Sequence, residues 1–193
     1  MRTLHWNNMN IELYEGPATG IEAETLVLFA FDDEPDPTLN QTTGGWVQEL
    51  YQSKEFSGKP CENVILHRPS GYKAKRLVLA GAGKRESFDQ VQMRRSAGII
   101  VRSLKNKSLQ NLHFVVDGFV QAAVEGAILG DYEPDSRKTV PDKICKRLSS
   151  LTICVEKKED RHQEEVHHGQ LIAEAQNFSR FLKNEPANHL TPQ

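Results

Sequence analysis

Apolar positions along the chain fall into short runs whose period switches between two and about 3.6, with turn residues between them. Asn10 to Tyr14 alternates in polarity, the pattern of a half-buried strand. Thr25-Leu-Val-Leu-Phe-Ala-Phe31 is continuously apolar, as expected of a strand covered on both faces. It runs into Asp32-Asp-Glu-Pro-Asp-Pro37, an acidic, proline-rich loop. Gly45 to Phe56 predicts a short helix with Trp46, Val47 and Leu50 on one side. Asn63 to His67 and Arg76 to Ala80 predict two strands joined by the turn at Pro69-Ser70-Gly71. Ser87 to Lys105 predicts a longer helix: Ser87 is its N-cap, and Met93, Ala97, Ile100, Val101 and Leu104 recur at helical spacing. Leu112 to Val116 is the next strand, and Phe119 to Leu129 an alanine-rich helix stopped by Gly130. Ser150 to Val155 is the last strand, and Glu164 to Lys183 the last helix, with Leu171, Ala175, Phe178 and Leu182 as its inner stripe. This alternation predicts an α/β domain of three layers, a mixed but mostly parallel sheet flanked by helices. No internal repeat and no low-complexity tract interrupts it.

Composition narrows the function classes. The 193 residues suffice for one sizeable domain, and a chain of that size buries roughly 70% of its unfolded surface. A hydrophobic content of 38% suits a soluble domain. Lys and Arg total 24 against 26 acidic residues, a net charge of −2, which argues against non-specific nucleic-acid binding. No apolar run approaches the ~20 residues that span a bilayer. The start, Met1-Arg-Thr-Leu-His-Trp-Asn-Asn, has no apolar signal core. Cys61, Cys145 and Cys154 are odd in number and lack C-x-x-C spacing, so they read as reduced, packed thiols. The expected compartment is the cytoplasm.

The end of the chain reads as a helix stop followed by a new beginning. Phe178, Phe181 and Leu182 close an apolar stripe, and Pro186 forbids its continuation. Asn188 and Thr191-Pro192 are turn and cap chemistry for a further segment, so the chain is expected to be a piece of a longer protein. The block Asn184-Glu-Pro-Ala-Asn-His-Leu-Thr-Pro192 resembles the segment by which leucyl aminopeptidases of the cytosolic, two-metal type pass into their catalytic domain. Its matching positions are Asn184, Pro186, Asn188, Leu190, Thr191 and Pro192. Leu77 to Lys84, with Gly81 and Gly83, is similar to that family's mid-domain strand and glycine turn. Glu125-Gly-Ala-Ile-Leu-Gly-Asp-Tyr132, followed by Arg137-Lys-Thr139, is similar to its Glu-Gly-x-x-Leu-Gly-x-Tyr segment through Glu125, Gly126 and Gly130. The first 60 residues and 140–165 match nothing specific.

The resemblance implies a macro-domain-like N-terminal lobe over 1–160, a connecting helix over 161–183 and the start of a catalytic domain at 184–193. It implies a parent that removes N-terminal residues from peptides, using a pair of zinc, manganese or magnesium ions. In that family the metal ligands and the Asn-Thr-Asp-Ala-Glu-Gly-Arg motif lie beyond the position of Gln193. No catalytic, cofactor-binding or metal-binding residue is therefore expected here, and the chain alone is expected to be inert. The implied partners are its own catalytic domain, neighbouring subunits of a homo-hexamer and, for the parent, peptides; neither membrane nor nucleic acid is among them. A macro-like fold leaves open a second reading, a module that binds ADP-ribose or another nucleotide. A third makes the chain an assembly or regulatory element.

Local motifs add little to this. Gly81-Ala82-Gly83-Lys84 sits where backbone N–H groups can cradle a phosphate, but Val78, Arg85 and Glu86 break both nucleotide-binding patterns. The glycines read first as a tight strand-to-helix turn. Gly44-Gly45 is the other thin cluster. His162, His167 and His168 lack the i, i+3 or i, i+4 spacing of paired ligands, and Gln163 spoils His-Glu-x-x-His. Glu164 and His168 read as a solvated pair, and Lys157 to Glu165 as an exposed mixed-charge run. Asp32, Asp33, Glu34 and Asp36 offer oxygen ligands, but Pro35 and Pro37 break the geometry of a calcium loop. Glu125, beside Gly126, reads as structural, and no serine or cysteine sits in a G-x-S-x-G elbow.

Overall fold

A computed structural model describes residues 9–134 and 147–185. Its strands are β1 (Asn10–Glu15), β2 (Thr25–Phe31), β3 (Asn63–His67), β4 (Arg76–Gly83), β5 (Asn111–Val115) and β6 (Ser150–Val155). Its α-helices are α1 (Pro37–Thr42), α2 (Trp46–Ser53), α3 (Gln90–Asn106), α4 (Val120–Asp131) and α5 (Asp160–Asn184). The sheet order is β1-β6-β5-β2-β4-β3. Every neighbouring pair is parallel except β3 with β4. This is the mixed, mostly parallel sheet that the sequence predicts.

Side-chain alternation on the strands builds two cores. Val27, Val78, Phe114 and Ile153 face α3, α4 and α5, and meet Met93, Ile100, Val124 and Ile128. Leu26, Leu77 and Leu79 point the other way, where Trp46, Val47, Leu50 and Phe56 cover the sheet. Helices on both sides explain why β2 and β4 are continuously apolar rather than alternating. Each such Leu, Val or Phe contributes about 1.5–3 kcal/mol by leaving water.

Several elements differ from the sequence reading in existence, boundary or face, each for a physical reason. The α3 helix begins at Gln90, where the Asp89 carboxylate accepts the Gln92 N–H at 2.9 Å. Ser87 lies in a 3-10 turn instead, because Phe88 is extended and packs edge-on against Phe31 at 5.0 Å and Phe119 at 6.0 Å. Short α1 went unpredicted, although Asp36 caps it by accepting from Leu39 N–H at 2.8 Å and Pro37 opens it. Gly130 does not stop α4, which continues to Asp131. A Cβ there would lie 2.5 Å from the Gly98 carbonyl oxygen, so the glycine permits close approach to α3.

The last helix faces the opposite way from the expected stripe. Its buried residues are His162, Val166, Gly169, Ala173 and Asn177. Leu171, Phe178 and Leu182 are 58%, 44% and 37% exposed. The cause is distance: α5 lies so close to α4 that a Cβ on Gly169 would sit 2.7 Å from the Gln121 carbonyl oxygen. No side chain fits at position 169, and further along Asn177 Nδ2 crosses to donate to the Ile128 carbonyl at 3.2 Å. The helix also starts earlier than expected, since Glu159 and His162 form a reciprocal capping box.

Candidate functional site

Between the carboxyl ends of β2 and β5 lies a cavity of about 490 Å³. The chain leaves β2 toward β4 and β3 on one side and later returns to β5 on the other. Open α/β sheets place ligands in the crevice at such a switch point. Leu28, Phe29, Leu39, Phe88, Met93 and Val115 supply apolar walls. Tyr51 and Tyr72 close one side, and the Tyr51 hydroxyl donates to the Phe31 carbonyl at 2.5 Å.

The mouth is acidic. Glu34, Asp36 and Asp117 line it against a single base, Arg85. That guanidinium is already engaged, with Nε 3.2 Å from Asp33 Oδ2 and its plane 4.1 Å from the Phe31 ring centre. The tyrosines register the same field. Burial first, then Asp33, Glu62 and Asp32, push the Tyr51 hydroxyl up to about 12 despite Arg85. Burial and then Asp36 raise Tyr72.

The glycines singled out in the sequence do not form a phosphate cradle. Gly81 and Gly83 lie within β4, which extends past Ala80 by pairing with the loop that carries Gly58 and Glu62. The Gly81 N–H donates to the Glu62 carbonyl at 2.9 Å and the Gly83 N–H to the Gly58 carbonyl at 2.8 Å, so both donors are spent. A Cβ on Gly81 would lie 1.9 Å from the Lys59 carbonyl oxygen. Gly81 serves close strand–loop packing, while Gly83, at φ +81°, turns the chain out of β4 toward the 3-10 turn at Arg85–Ser87.

Glu125 is 3% exposed on α4, where its carboxylate accepts from Arg94 Nε at 2.5 Å and from Gln121 Nε2 at 2.8 Å. Gly126 sits beside it: a Cβ there would approach the Arg94 carbonyl oxygen to 2.1 Å. Over this seam runs a basic groove, with Arg94, Arg95, Arg102, Arg180 and Lys183 along it. Asn184, at the end of α5, donates to the Tyr132 hydroxyl at 3.0 Å. Pro186, Asn188, Leu190, Thr191, Pro192, Cys145 and Arg137 to Thr139 lie outside the described residues.

His162 spends its Nδ1 on the Glu159 N–H at 3.1 Å, while His167 and His168 are exposed. Among the described residues no three His, Cys, Asp or Glu side chains group closely enough to hold a metal ion. Cys61 is exposed, and burial pushes the Cys154 thiol up to about 12, which keeps it protonated and inert. No helix among the described residues is long and apolar enough to cross a membrane. Sequence reasoning missed the cavity's Tyr51, Tyr72, Phe88 and Asp117, which come from four separate segments and carry no local signal.

Comparison with known proteins agrees with this architecture. The profile of the cytosol aminopeptidase family's N-terminal domain matches residues 19–141. A probable cytosol aminopeptidase of Solibacter usitatus is 40% identical over 190 residues, covering 95% of this chain and 38% of that protein. One from Koribacter versatilis is 32% identical over 215 residues, covering 95% and 42%. This chain thus spans about two-fifths of the length of these relatives. A mutant of tomato leucine aminopeptidase shares the fold at a TM-score of 0.76 and 20% identity, over 95% of this chain and 40% of that one. The bottromycin maturation enzyme BotP, in a complex with Mn, aligns at a TM-score of 0.62 and 21% identity, over 88% and 34%.

Proposed function

The chain belongs to the cytosol aminopeptidase family, and from that premise we propose that it is the non-catalytic N-terminal lobe of a cytoplasmic peptidase that removes N-terminal residues from peptides. The observation that carries this is the match of the family's N-terminal-domain profile to most of the chain, 19–141. In this reading 161–183 link the lobe to a catalytic domain that opens within 184–193. That domain supplies the pair of divalent ions that activates water for peptide hydrolysis. The described residues of this lobe do not fit such a pair, because no three ligand-type side chains converge. No hydrolytic step is therefore assigned to them.

The lobe's own work is packing against its catalytic domain and against neighbours in a homo-hexamer, and shaping the approach to the active site. The outward stripe of α5 supports this part. Leu171, Ile172, Phe178 and Leu182 are between 37% and 58% exposed on a helix whose opposite face is buried. Apolar side chains grouped on one exposed helix face suit a contact surface. The test is an assay of the 193-residue chain on leucine p-nitroanilide with added zinc or manganese. No turnover is expected, and chelator-sensitive cleavage would overturn the assignment.

A further inference from the structure

We propose that the cavity at the carboxyl ends of β2 and β5 binds a small organic cation with an apolar body, a primary amine beside an alkyl or aryl group. This goes beyond the family reading and does not depend on it. At about 490 Å³ the cavity has the volume of a small-ligand site. Its walls, among them Leu28, Phe29, Leu39 and Phe88, take up apolar surface rather than polar groups. Tyr51 and Tyr72 are among the lining residues, and a cation is drawn to an aromatic ring.

The sign of the ligand follows from the mouth. Three carboxylates line it, and Glu34 and Asp117 have no salt bridge among the described residues. The one lining base, Arg85, is neutralised by Asp33 at 3.2 Å and rests on Phe31. An anion entering here would meet repulsion from these carboxylates. Gly81 and Gly83, the nearest glycine pair in β4, have already spent their N–H groups on the neighbouring loop. A phosphorylated ligand is therefore disfavoured on charge. An ammonium group at the acidic mouth, with its alkyl or aryl body inside, satisfies both halves of the cavity.

The experiment is a ¹H–¹⁵N NMR titration of the 193-residue chain with leucinamide, its neutral analogue N-acetyl-leucinamide, the tripeptide Leu-Gly-Gly and ADP-ribose. Leucinamide should shift the amides of Phe31, Tyr51 and Val115 saturably. The neutral analogue should bind about tenfold more weakly, because it loses the charge attraction at the mouth. The paired change Glu34→Gln with Asp117→Asn should weaken leucinamide binding by a similar factor, about tenfold. Both side chains are exposed, so the fold should survive, and unchanged melting of the double variant checks that it does. Leu-Gly-Gly binding as tightly as leucinamide supports the site and assigns a peptide N-terminus as its source. Weaker binding of the tripeptide supports the site and assigns a free amine. Absence of saturable shifts, equal binding of the neutral analogue, no effect of the double variant, or tighter binding of ADP-ribose would each overturn the proposal.

Discussion

Replacing Gly126 with alanine sets two opposing effects against each other in one side chain. In a helix interior alanine is favoured over glycine by about 1 kcal/mol, through backbone entropy. On propensity alone the variant should be more stable. The seam between α3 and α4 reverses that sign. The added Cβ would lie 2.1 Å from the Arg94 carbonyl oxygen and 2.9 Å from the Ala97 Cβ, and a carbonyl in a helix cannot rotate aside. The two helices must separate by about an ångström to restore normal contact, and a gap of that size forfeits a quarter to a half of each contact's dispersion energy. The loss extends to Ala97, Ile100, Ala123 and Ala127, all buried in the same core.

Overpacking of this kind costs about 1–3 kcal/mol, and a rigid backbone clash sits at the upper end or above. Net of propensity, Gly126→Ala should lose about 2 kcal/mol. For a domain of this size that is a fall of about 4–8 °C in Tm. Gly98→Ala is the internal control. Its Cβ would be 3.1 Å from the Gly126 carbonyl oxygen, close enough to require only a small shift. Its propensity gain should roughly cancel its clash, leaving Tm within about 2 °C of the parent. Calorimetry on both variants checks the pair. A Gly126→Ala chain that melts at or above the parent would show that the helices slide apart at no cost, and would refute the close-packing account of the seam.

Two electrostatic predictions follow from buried and half-buried carboxylates. Lys105 is 2% exposed, donates to the Asp131 carbonyl at 2.9 Å and lies 3.4 Å from Glu133. Lys105→Met should cost about 3 kcal/mol at pH 7 because it leaves buried Asp131 without its cation. Burial already holds the Asp131 pKa above the ordinary aspartate value, and losing Lys105 raises it further. Protonation therefore relieves the variant as pH falls through that raised value, and a deficit in urea denaturation that stayed constant from pH 7 to 4.5 would refute this. Glu24 has the opposite sign: the hydrogen bond from Asn111 Nδ2, at 2.9 Å, is the main cause holding its pKa below the usual range, with Arg76 assisting against burial. Its stabilisation is present above the ordinary glutamate pKa and lost as pH falls through the folded value. With the carboxylate 36% exposed, Asn111→Ala should cost under about 1 kcal/mol at pH 7 by denaturant titration. That part of the cost should vanish once Glu24 is protonated.

The inner strands were legible because burial on both faces leaves a continuous apolar record, and β2 and β6 run over the stretches that record marks. The orientation of α5 was not legible, and the reason is general. The helix carries two candidate faces, His162-Val166-Gly169-Ala173-Asn177 and Leu171-Ala175-Phe178-Leu182, each at helical spacing. Ala173 and Leu171 are two positions apart, about 200° around a helix of 3.6 residues per turn, so choosing one face exposes the other. Hydrophobicity selects the leucine and phenylalanine face. Packing distance selects the glycine and alanine face, since α4 comes near enough for a Cβ on Gly169 to clash with Gln121. Where a helix is held by backbone proximity, the residues that bind it most closely are those with least side chain, and an apolar-moment argument points the wrong way by construction. The same reasoning leaves Leu171, Phe178 and Leu182 on the exposed face. The cavity was illegible for a different reason. Tyr51, Tyr72, Phe88 and Asp117 meet only because β2 lies between β4 and β5, a fact of strand order that no local window contains.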